Sequence, residues 1–324
     1  MKFKKIISAI LIAITVLCFC GCDEIIDEFT PTTQSTTQST TQSTTQATTQ
    51  APTQATTQAP TLAPTDGTTL TVHYLDVGQG DSIFIELPQN KTMLIDASTG
   101  AYGEGIADYI EQKGYSKIDY LVATHPHADH IGGMEDIVEE FTIGEIYMPR
   151  ASTTTKTYKN LLTAIKTKGN KINTAKAGVS IYGDSSLRID ILAPNSDSYE
   201  DLNNYSAVIK LSYGSRSFLF TGDAEELSEN EITADVSADV LKVGHHGSST
   251  SSGEAFISRV NPKYAVISCG KDNSYGHPHK ETMETLQKHN TEVFRTDTMG
   301  TIIATTNGTD LNLTQGNKSV AKDD

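Results

Sequence analysis

The amino-acid sequence predicts an α/β (α+β) protein built as a four-layer αβ/βα sandwich. Short β-rich runs alternate with helical stretches across residues 70–314, in two successive halves of similar style. Two β-rich halves interleaved with helices favour two sheets packed face to face and covered by helices. A cluster of histidine and aspartate directly after one buried strand marks the predicted functional site.

The first 22 residues have the composition of an export signal. Three lysines precede an apolar run from residue 6 to residue 19, which is too short for a comfortable transmembrane helix. The segment resembles a bacterial lipoprotein signal, in which Cys22 would be lipidated and become the N-terminus. The expected location is therefore the cell membrane, lipid-anchored on the extracellular face, with secretion as the alternative.

Residues 23–69 are predicted to be a disordered linker. From residue 30 they repeat Thr-Thr-Gln with Ser, Ala and Pro, and Leu62 is the one sizeable aliphatic side chain. Such a segment cannot bury enough apolar surface to offset the entropy of ordering it. It is typical of a spacer with no partner of its own, and residues 315–324 are predicted to form a polar tail.

The net charge bears on which ligands the chain can bind, and the cysteine content bears on disulfide formation. A formal net charge of −15 repels polyanions at long range, which disfavours a tight grip on nucleic acid by the chain as a whole. Phosphate substrates remain compatible with it, because a metal ion or a basic groove acts at close range. Within the predicted domain Cys269 is alone, so no disulfide framework is expected, and the apolar run before it predicts a buried strand residue.

The first half is predicted to open with an antiparallel meander of strands at residues 70–77, 82–87 and 92–97, separated by turn signals. A helix at 105–113 leads to the near-continuous apolar run 118–124, which is typical of a strand buried on both faces. The half closes with a helix at 134–141, a strand at 145–148 and a helix at 158–168.

The second half repeats this organisation. Its helices are predicted at 254–260 and 280–288. Its strands are predicted at residues 187–192, 207–213, 217–221, 239–243, 264–268, 292–295, 301–305 and 311–313.

Four metal-binding side chains fall within six residues at the end of the predicted strand 118–124: His125, His127, Asp129 and His130. A loop at a strand end can aim several side chains at one point. Imidazole and carboxylate together suit zinc, manganese or iron. The two glycines that follow let the backbone turn sharply into the next helix.

The stretch 124–133 reads Thr-His-Pro-His-Ala-Asp-His-Ile-Gly-Gly and resembles the signature of the metallo-β-lactamase superfamily. Further motifs at 75–82, 220–223, 242–248 and 273–278 are similar to the extracellular hydrolase domain of the ComEC competence proteins and their stand-alone relatives. The likeness runs from residue 70 to about residue 305. It implies the fold of that superfamily and metal-dependent hydrolysis.

The resemblance implies a role for each matching residue. His125 and His127 would bind one metal ion, Asp129 and His130 would bind a second, and Asp223 would bridge the two. Asp129 also belongs to the predicted catalytic residues.

Further residues complete the site that the resemblance implies. His277 is favoured as a metal ligand, and His245 or His246 as a ligand or as a catalytic donor to the substrate. Asp96 would orient the histidine loop from behind the ligands. Asp81 and Ser248 are predicted substrate contacts.

The chain departs from the superfamily in one respect, since no histidine lies between His130 and Gly244. Asn204 stands about where the missing ligand would come, so it is expected close behind the ligands. An amide oxygen binds metal more weakly than imidazole does. One or two divalent ions, zinc or manganese, are therefore predicted, with oxygen-rich coordination favouring manganese or magnesium at one position.

The predicted function is metal-dependent hydrolysis, phosphodiesterase- or nuclease-like, on extracellular DNA or nucleotides through a metal-bound hydroxide. A lactone, thioester or β-lactam hydrolase on the same fold is one alternative, since it would differ only in the pocket walls. A non-catalytic, metal-stabilised surface binding module is the other, although Asp129 and Asp223 argue against it because structural sites favour nitrogen and sulfur ligands. The membrane and a nucleic-acid or nucleotide substrate are the expected partners, and no protein partner is predicted.

Overall fold

The computed structural model describes residues 62, 65, 67–316 and 319–320. The predicted signal segment with Cys22, most of the predicted linker and most of the predicted tail lie outside the described residues. Within the described part of the chain, no helix is long and apolar enough to cross a membrane.

The strands agree with the predicted runs in most places. They are β1 (Leu70–Tyr74), β2 (Ile83–Leu87), β3 (Lys91–Ile95), β4 (Lys117–Val122), β5 (Thr142–Met148), β6 (Ile172–Thr174), β7 (Val179–Gly183), β8 (Leu187–Ala193), β9 (Val208–Tyr213), β10 (Arg216–Phe220), β11 (Val240–Lys242), β12 (Tyr264–Ile267), β13 (Glu292–Arg295), β14 (Ile302–Thr306) and β15 (Leu311–Gln315). The helices are α1 (Gly103–Gln112), α2 (Ala128–Ile131), α3 (Met134–Glu140), α4 (Lys156–Thr167), α5 (Glu226–Glu231), α6 (Glu254–Val260), α7 (Lys280–Lys288) and α8 (Thr296–Met299).

Two mixed sheets form the centre of the domain. The first has the strand order β15-β14-β1-β2-β3-β4-β5-β6, and the second has the order β13-β12-β11-β10-β9-β8-β7. Strands β1, β2 and β3 pair antiparallel, which confirms the predicted meander. Strands β3 to β6 run parallel, as do β10 to β13.

Three hydrophobic layers hold the sheets and helices together. Alternate side chains of each strand point to opposite faces, so on β2 Ile83 and Ile85 enter the core between the sheets while Phe84 packs under the helices. Helices α1 to α4 cover the outer face of the first sheet, and α6 and α7 cover the second, through side chains such as Ile106 and Ile257. The four-layer sandwich is therefore confirmed.

The differences from the predicted elements have physical reasons. Strands β6 and β7 were not predicted, because they are short and partly exposed at sheet edges and lack a long apolar run. Helix α5 reads Glu-Leu-Ser-Glu-Asn-Glu and buries only Ser228 and Glu229, so it lacks a periodic apolar stripe. Cys269 is buried as predicted, although β12 ends before it, and burial raises the pKa of its thiol to about 11.

Candidate metal centre

The predicted site residues follow strands that end at the same edges of the two sheets. Asp96 follows β3 and His125 follows shortly after β4, and these strands are parallel. Asp223 follows β10 and His246 follows β11, which are also parallel. A hydrogen bond from Ala207 N to Thr124 O, 2.9 Å long, joins the two edges. The carboxyl ends of parallel strands share an edge, which explains how distant sequence motifs meet.

Four buried residues form a cluster at this meeting point: Asp81, His130, Asp223 and His246. Each offers a nitrogen or carboxylate oxygen, and these atoms all lie within 4.8 Å of one another. Asp223 Oδ2 is 3.2 Å from His130 Nε2 and 3.5 Å from His246 Nε2. The cluster has the donor set of a zinc or manganese site.

The orphaned atoms of the cluster test whether it fits a metal ion. His130 Nε2, His246 Nε2 and Asp223 Oδ1 are buried and make no hydrogen bond. Most buried polar atoms in proteins have a partner, and three orphans that converge on one point need an explanation. A divalent cation would supply the missing partner for all three, so the residues fit a metal.

The remaining residues of the histidine loop lie beside the four-residue cluster. His125 Nε2 lies 3.9 Å from Asp223 Oδ2 and 3.0 Å from His127 Nδ1. Asp129 Oδ2 lies 3.4 Å from His246 Nε2, and its side chain is about one-third exposed. His127 and Asp129 are thus the members of the loop that solvent or a substrate can reach. The structure brings together all four side chains that the signature suggested.

Asp96 lies behind the ring of His130, buried and in a left-handed backbone conformation (φ 57°). Its Oδ2 accepts hydrogen bonds from His130 Nδ1 (2.7 Å) and Thr124 Oγ1 (2.6 Å), and its Oδ1 accepts one from Thr124 N (2.8 Å). A proton held on Nδ1 leaves Nε2 free to face Asp223. This is the arrangement that an orienting carboxylate requires.

The histidines and aspartates of the cluster shift one another's pKa values. Burial acts to lower the pKa of His130, but Asp223 and Asp96 outweigh it and hold that pKa well above the usual range. Burial acts to raise the pKa of Asp223, but His130 and His246 outweigh it and hold that pKa well below the usual range. Metal binding would therefore have to displace protons from the histidines.

His245 and His246 lie in a strained turn, Gly244–Gly247. Both adopt left-handed conformations, with φ, ψ of 47°, 48° and 54°, 20°, which cost of order 1–3 kcal/mol each and occur mostly at functional sites. His246 is buried, and its Nδ1 lies 3.0 Å from Ser268 O, so Nε2 points into the cluster. His245 is about one-quarter exposed, with Nε2 3.7 Å from Asp223 Oδ2.

Asp81 belongs to the buried cluster, and its role as a substrate contact stays a prediction. It is 1% exposed, with Oδ1 3.3 Å from His246 Nδ1 and Oδ2 2.9 Å from Lys242 Nζ. Burial acts to raise the pKa of Asp81, but Lys242 and His246 outweigh it and lower that pKa. The fully buried Lys242 was missed in the sequence, where the available signal was one lysine inside the apolar strand run 239–243.

Ser248 and Asn204 contact the site through intermediate groups. Ser248 Oγ lies 3.1 Å from Thr250 Oγ1, which is 3.2 Å from His245 Nδ1. Asn204 Nδ2 donates to Glu225 Oε2 (3.3 Å), and Glu225 Oε1 lies 3.4 Å from His245 Nδ1. The amide oxygen of Asn204 accepts a hydrogen bond from the backbone of α5, so it is already engaged.

His277 lies at the edge of the centre, outside the four-residue cluster. Its ring centroid is 5.7 Å from that of His245 and 6.3 Å from that of His246. Its Nδ1 is buried without a hydrogen bond. Burial and the neighbouring histidines lower its pKa to about 4. The role of His277 as a metal ligand stays a prediction. His246, and not His277, belongs to the four-residue cluster.

Ser206 is a further site residue that sequence reasoning did not single out. Its hydroxyl accepts a hydrogen bond from Asp223 N (3.1 Å) and lies 3.3 Å from His125 Nδ1. It therefore links the histidine loop of the first sheet to the carboxylate of the second. The available signal was its position in the stretch 203–206, where the superfamily's middle histidine is missing.

The fold and this centre define a class of protein. The sequence profile of the metallo-beta-lactamase superfamily matches residues 75–170 and 197–271, more than half of the chain, and the chain belongs to that superfamily. It has the fold of that superfamily, and its buried group of histidine and aspartate is a candidate site for a divalent metal ion.

The chain is similar to competence protein ComA of Neisseria gonorrhoeae, with 28% identity over 232 residues, which are 70% of this chain and 31% of that protein. ComE operon protein 3 of Bacillus subtilis (strain 168) is 35% identical over 251 residues, which are 71% of this chain and 32% of that protein. Recombination protein 2 of Haemophilus influenzae is 30% identical over 240 residues, 72% of this chain and 28% of that protein. The chain thus spans about a third of the length of these relatives.

The solved structures to which this chain is similar have lower sequence identity. The metallo-beta-lactamase fold protein YhfI from Bacillus subtilis matches 70% of this chain and 96% of its own, with 14% identity and a TM-score of 0.45. Zinc-bound PqqB from Methylobacterium extorquens matches 70% and 98%, with 10% identity and a TM-score of 0.45.

Proposed function

We propose that this chain is a metal-dependent phosphodiesterase that acts on DNA or nucleotides outside the cell. The observation that carries the proposal is the convergence of orphaned ligand atoms from His130, His246 and Asp223, beside the partly exposed Asp129. Two relatives, a recombination protein and a competence protein, support DNA as the substrate class.

The metal would be zinc or manganese, held by imidazole and carboxylate groups that the structure gathers around Asp223. A divalent ion held there would lower the pKa of a bound water and polarise a phosphoryl oxygen. The side chains that would hold one or two such ions are His125, His127, Asp129, His130, Asp223 and His246.

His245 is the candidate proton donor to the leaving oxygen. Its Nε2 is 3.7 Å from Asp223 Oδ2, and the ring is partly exposed on the solvent side of the cluster. Glu225 and Thr250 flank its Nδ1 at 3.4 Å and 3.2 Å, which fixes the orientation of the ring. A donor within reach of the reacting group is what general acid catalysis requires.

We also propose that the chain is held at the outer face of the membrane through a lipid on Cys22. The composition of residues 1–22 supports this proposal, as do the competence-protein relatives, which suggest association with the cell envelope. Mass spectrometry of the mature N-terminus tests it. A diacylglyceryl mass on Cys22 is expected, and an unmodified N-terminus would support secretion.

Hydrolysis of bis(p-nitrophenyl) phosphate and of single-stranded DNA by the full chain tests the proposed activity. The protein is stripped of metal, reloaded with Mn²⁺ or Zn²⁺, and compared with Asp129→Ala and with Asp108→Ala, a matched substitution at an exposed position of α1. Metal-dependent cleavage that is lost in Asp129→Ala and retained in Asp108→Ala is expected. Bound metal without phosphodiester cleavage would favour the lactone, thioester or β-lactam alternative, and failure to bind metal would favour the binding module.

A further inference from the structure

Tyr275 is an exposed aromatic side chain at the edge of the metal centre. Among the described residues, Tyr275 and Leu227 are the exposed large hydrophobic side chains, at 65% and 56%. The ring of Tyr275 lies nearly parallel to that of His277, with centroids 5.6 Å apart and an interplanar angle of 21°. Tyr275 thus stacks on a predicted ligand, and the ring of His277 lies 5.7 Å from that of His245 and 6.3 Å from that of His246.

Hydrogen bonds on both sides of Tyr275 hold its loop in place. Asn273 Nδ2 donates to Gly270 O (2.9 Å) and to His277 O (2.7 Å), and Asn273 Oδ1 accepts from His277 N (3.0 Å). His279 Nε2 donates to Tyr275 O (3.2 Å), while its Nδ1 accepts from Ser249 N (3.0 Å). The backbone that presents the ring is therefore preorganised, which reduces the entropy lost when a ligand binds.

We infer that Tyr275 is a stacking platform for a nucleobase next to the scissile phosphodiester. This inference rests on the proposed function and deepens it, because it assigns the substrate an aromatic ring beside the phosphate. Isolated exposed apolar residues are common on protein surfaces. Tyr275 differs from them in stacking on a residue of the site and in being held there by side-chain hydrogen bonds.

The net charge of the chain favours a contact whose strength does not depend on charge. At a net charge of −15, long-range attraction cannot supply much of the affinity for a polyanion. Base–aromatic stacking supplies affinity without charge, and it tolerates any base because every base has a π-face. A substrate without aromatic rings, such as a polyol phosphate, would gain nothing from Tyr275.

A double-mutant cycle between Tyr275 and one base of the ligand tests the inference. The probes are a labelled five-nucleotide oligothymidylate and the same strand with one abasic nucleotide, placed at each position in turn. Binding to the full chain is measured by fluorescence anisotropy in chelator, so that no turnover occurs. The variants are Tyr275→Ala, the conservative Tyr275→Phe, and Tyr182→Ala, the same substitution on the edge strand β7.

The wild type is expected to lose about tenfold in affinity when one particular base is removed. Tyr275→Ala should lose about tenfold for the intact strand and show no further loss with the abasic strand. Tyr275→Phe and Tyr182→Ala should behave as the wild type does. The inference is overturned if Tyr275→Ala keeps the wild-type preference for the intact strand, or if the wild type binds no oligonucleotide.

Hydrolysis of bis(p-nitrophenyl) phosphate by the metal-loaded chain separates this inference from the proposed function. Hydrolysis without coupling between Tyr275 and a base would support the proposed phosphodiesterase and contradict the stacking platform. Coupling between Tyr275 and a base without hydrolysis would support the stacking platform and contradict the proposed phosphodiesterase.

Discussion

The two loops that bring histidines to the centre are aimed by different means. His130, in the loop after β4, has ordinary helical backbone, and its Nδ1 donates to the carboxylate of Asp96. The backbone N–H and the hydroxyl of Thr124, both neutral, donate to the same carboxylate. His246, in the loop after β11, has left-handed backbone, and its Nδ1 faces Ser268 O and the carboxylate of Asp81. The buried Lys242 forms an ion pair with Asp81. Both rings thereby present Nε2 to Asp223. In both loops a buried carboxylate faces the histidine, but neutral donors of Thr124 hold Asp96 in the first loop, whereas the buried Lys242 holds Asp81 in the second.

The largest expected effect is on the stability of the second loop. Lys242→Met leaves the carboxylate of Asp81 buried without its cation, which should lower the free energy of unfolding by about 3–5 kcal/mol. Its counterpart in the first loop, Thr124→Val, removes one neutral donor from Asp96 and should cost about 1–3 kcal/mol. Denaturant unfolding of the two variants in chelator measures the difference.

A second substitution controls for the lost volume and packing of the lysine. Lys242→Met combined with Asp81→Asn removes both charges, so it should recover much of the stability that Lys242→Met alone loses. Equal losses in Lys242→Met and Thr124→Val would show that the buried ion pair has no special role in the second loop.

A smaller effect is expected on metal affinity, and here the first loop is the more sensitive. Asp96→Asn removes the negative charge opposite His130 Nδ1 and replaces one of the two acceptor oxygens with an NH₂ donor, so affinity for Mn²⁺ or Zn²⁺ should fall by about 10–100-fold. Asp81→Asn should cost less than Asp96→Asn, because Ser268 O still accepts from His246 Nδ1 at 3.0 Å. Isothermal titration calorimetry of the stripped proteins compares them. An equal or greater loss in Asp81→Asn would instead identify Asp81 as a ligand, which its place in the cluster also permits.

The same contrast explains how much could be predicted from the sequence. The histidine loop is contiguous, so His125, His127, Asp129 and His130 could be read directly from the stretch 124–133. The period-2 and apolar runs likewise predicted most strands of both sheets, and thus the sandwich, because strand period is a local property.

The second loop could not be read in this way, because its geometry depends on contacts between distant segments. Lys242 and Asp81 come from β11 and from the turn before β2, and no local pattern reveals that they pair. The choice between His246 and His277 likewise depends on two left-handed residues that sequence propensity does not predict. Helix α5 was missed for a related reason, since its polar residues are buried by tertiary contacts.

The last expected effect is a dependence of stability on pH, and it concerns Glu229 of α5, which supports the second loop. Its carboxylate accepts from Ser252 N (2.7 Å), and Ser252 Oγ accepts from Gly244 N (3.0 Å) at the start of the strained turn. Burial raises the pKa of Glu229 from 4.5 to about 8. The folded state therefore keeps a proton that the unfolded state releases at lower pH.

Stability from Glu229 is fully present below about pH 4.5 and is lost as the pH rises towards 8, with a slope of at most about 1.4 kcal/mol per pH unit. Glu229→Gln keeps an acceptor for Ser252 N but cannot ionise, so its advantage over the wild type should grow across that window. Urea unfolding in chelator at several pH values measures it, with Glu111→Gln on the exposed face of α1 as the matched control. A difference in the free energy of unfolding between Glu229→Gln and the wild type that stays constant from pH 5 to pH 8 would mean that Glu229 is ionised throughout. The strained turn would then be held by a charged carboxylate, as the ring of His246 is held by Asp81.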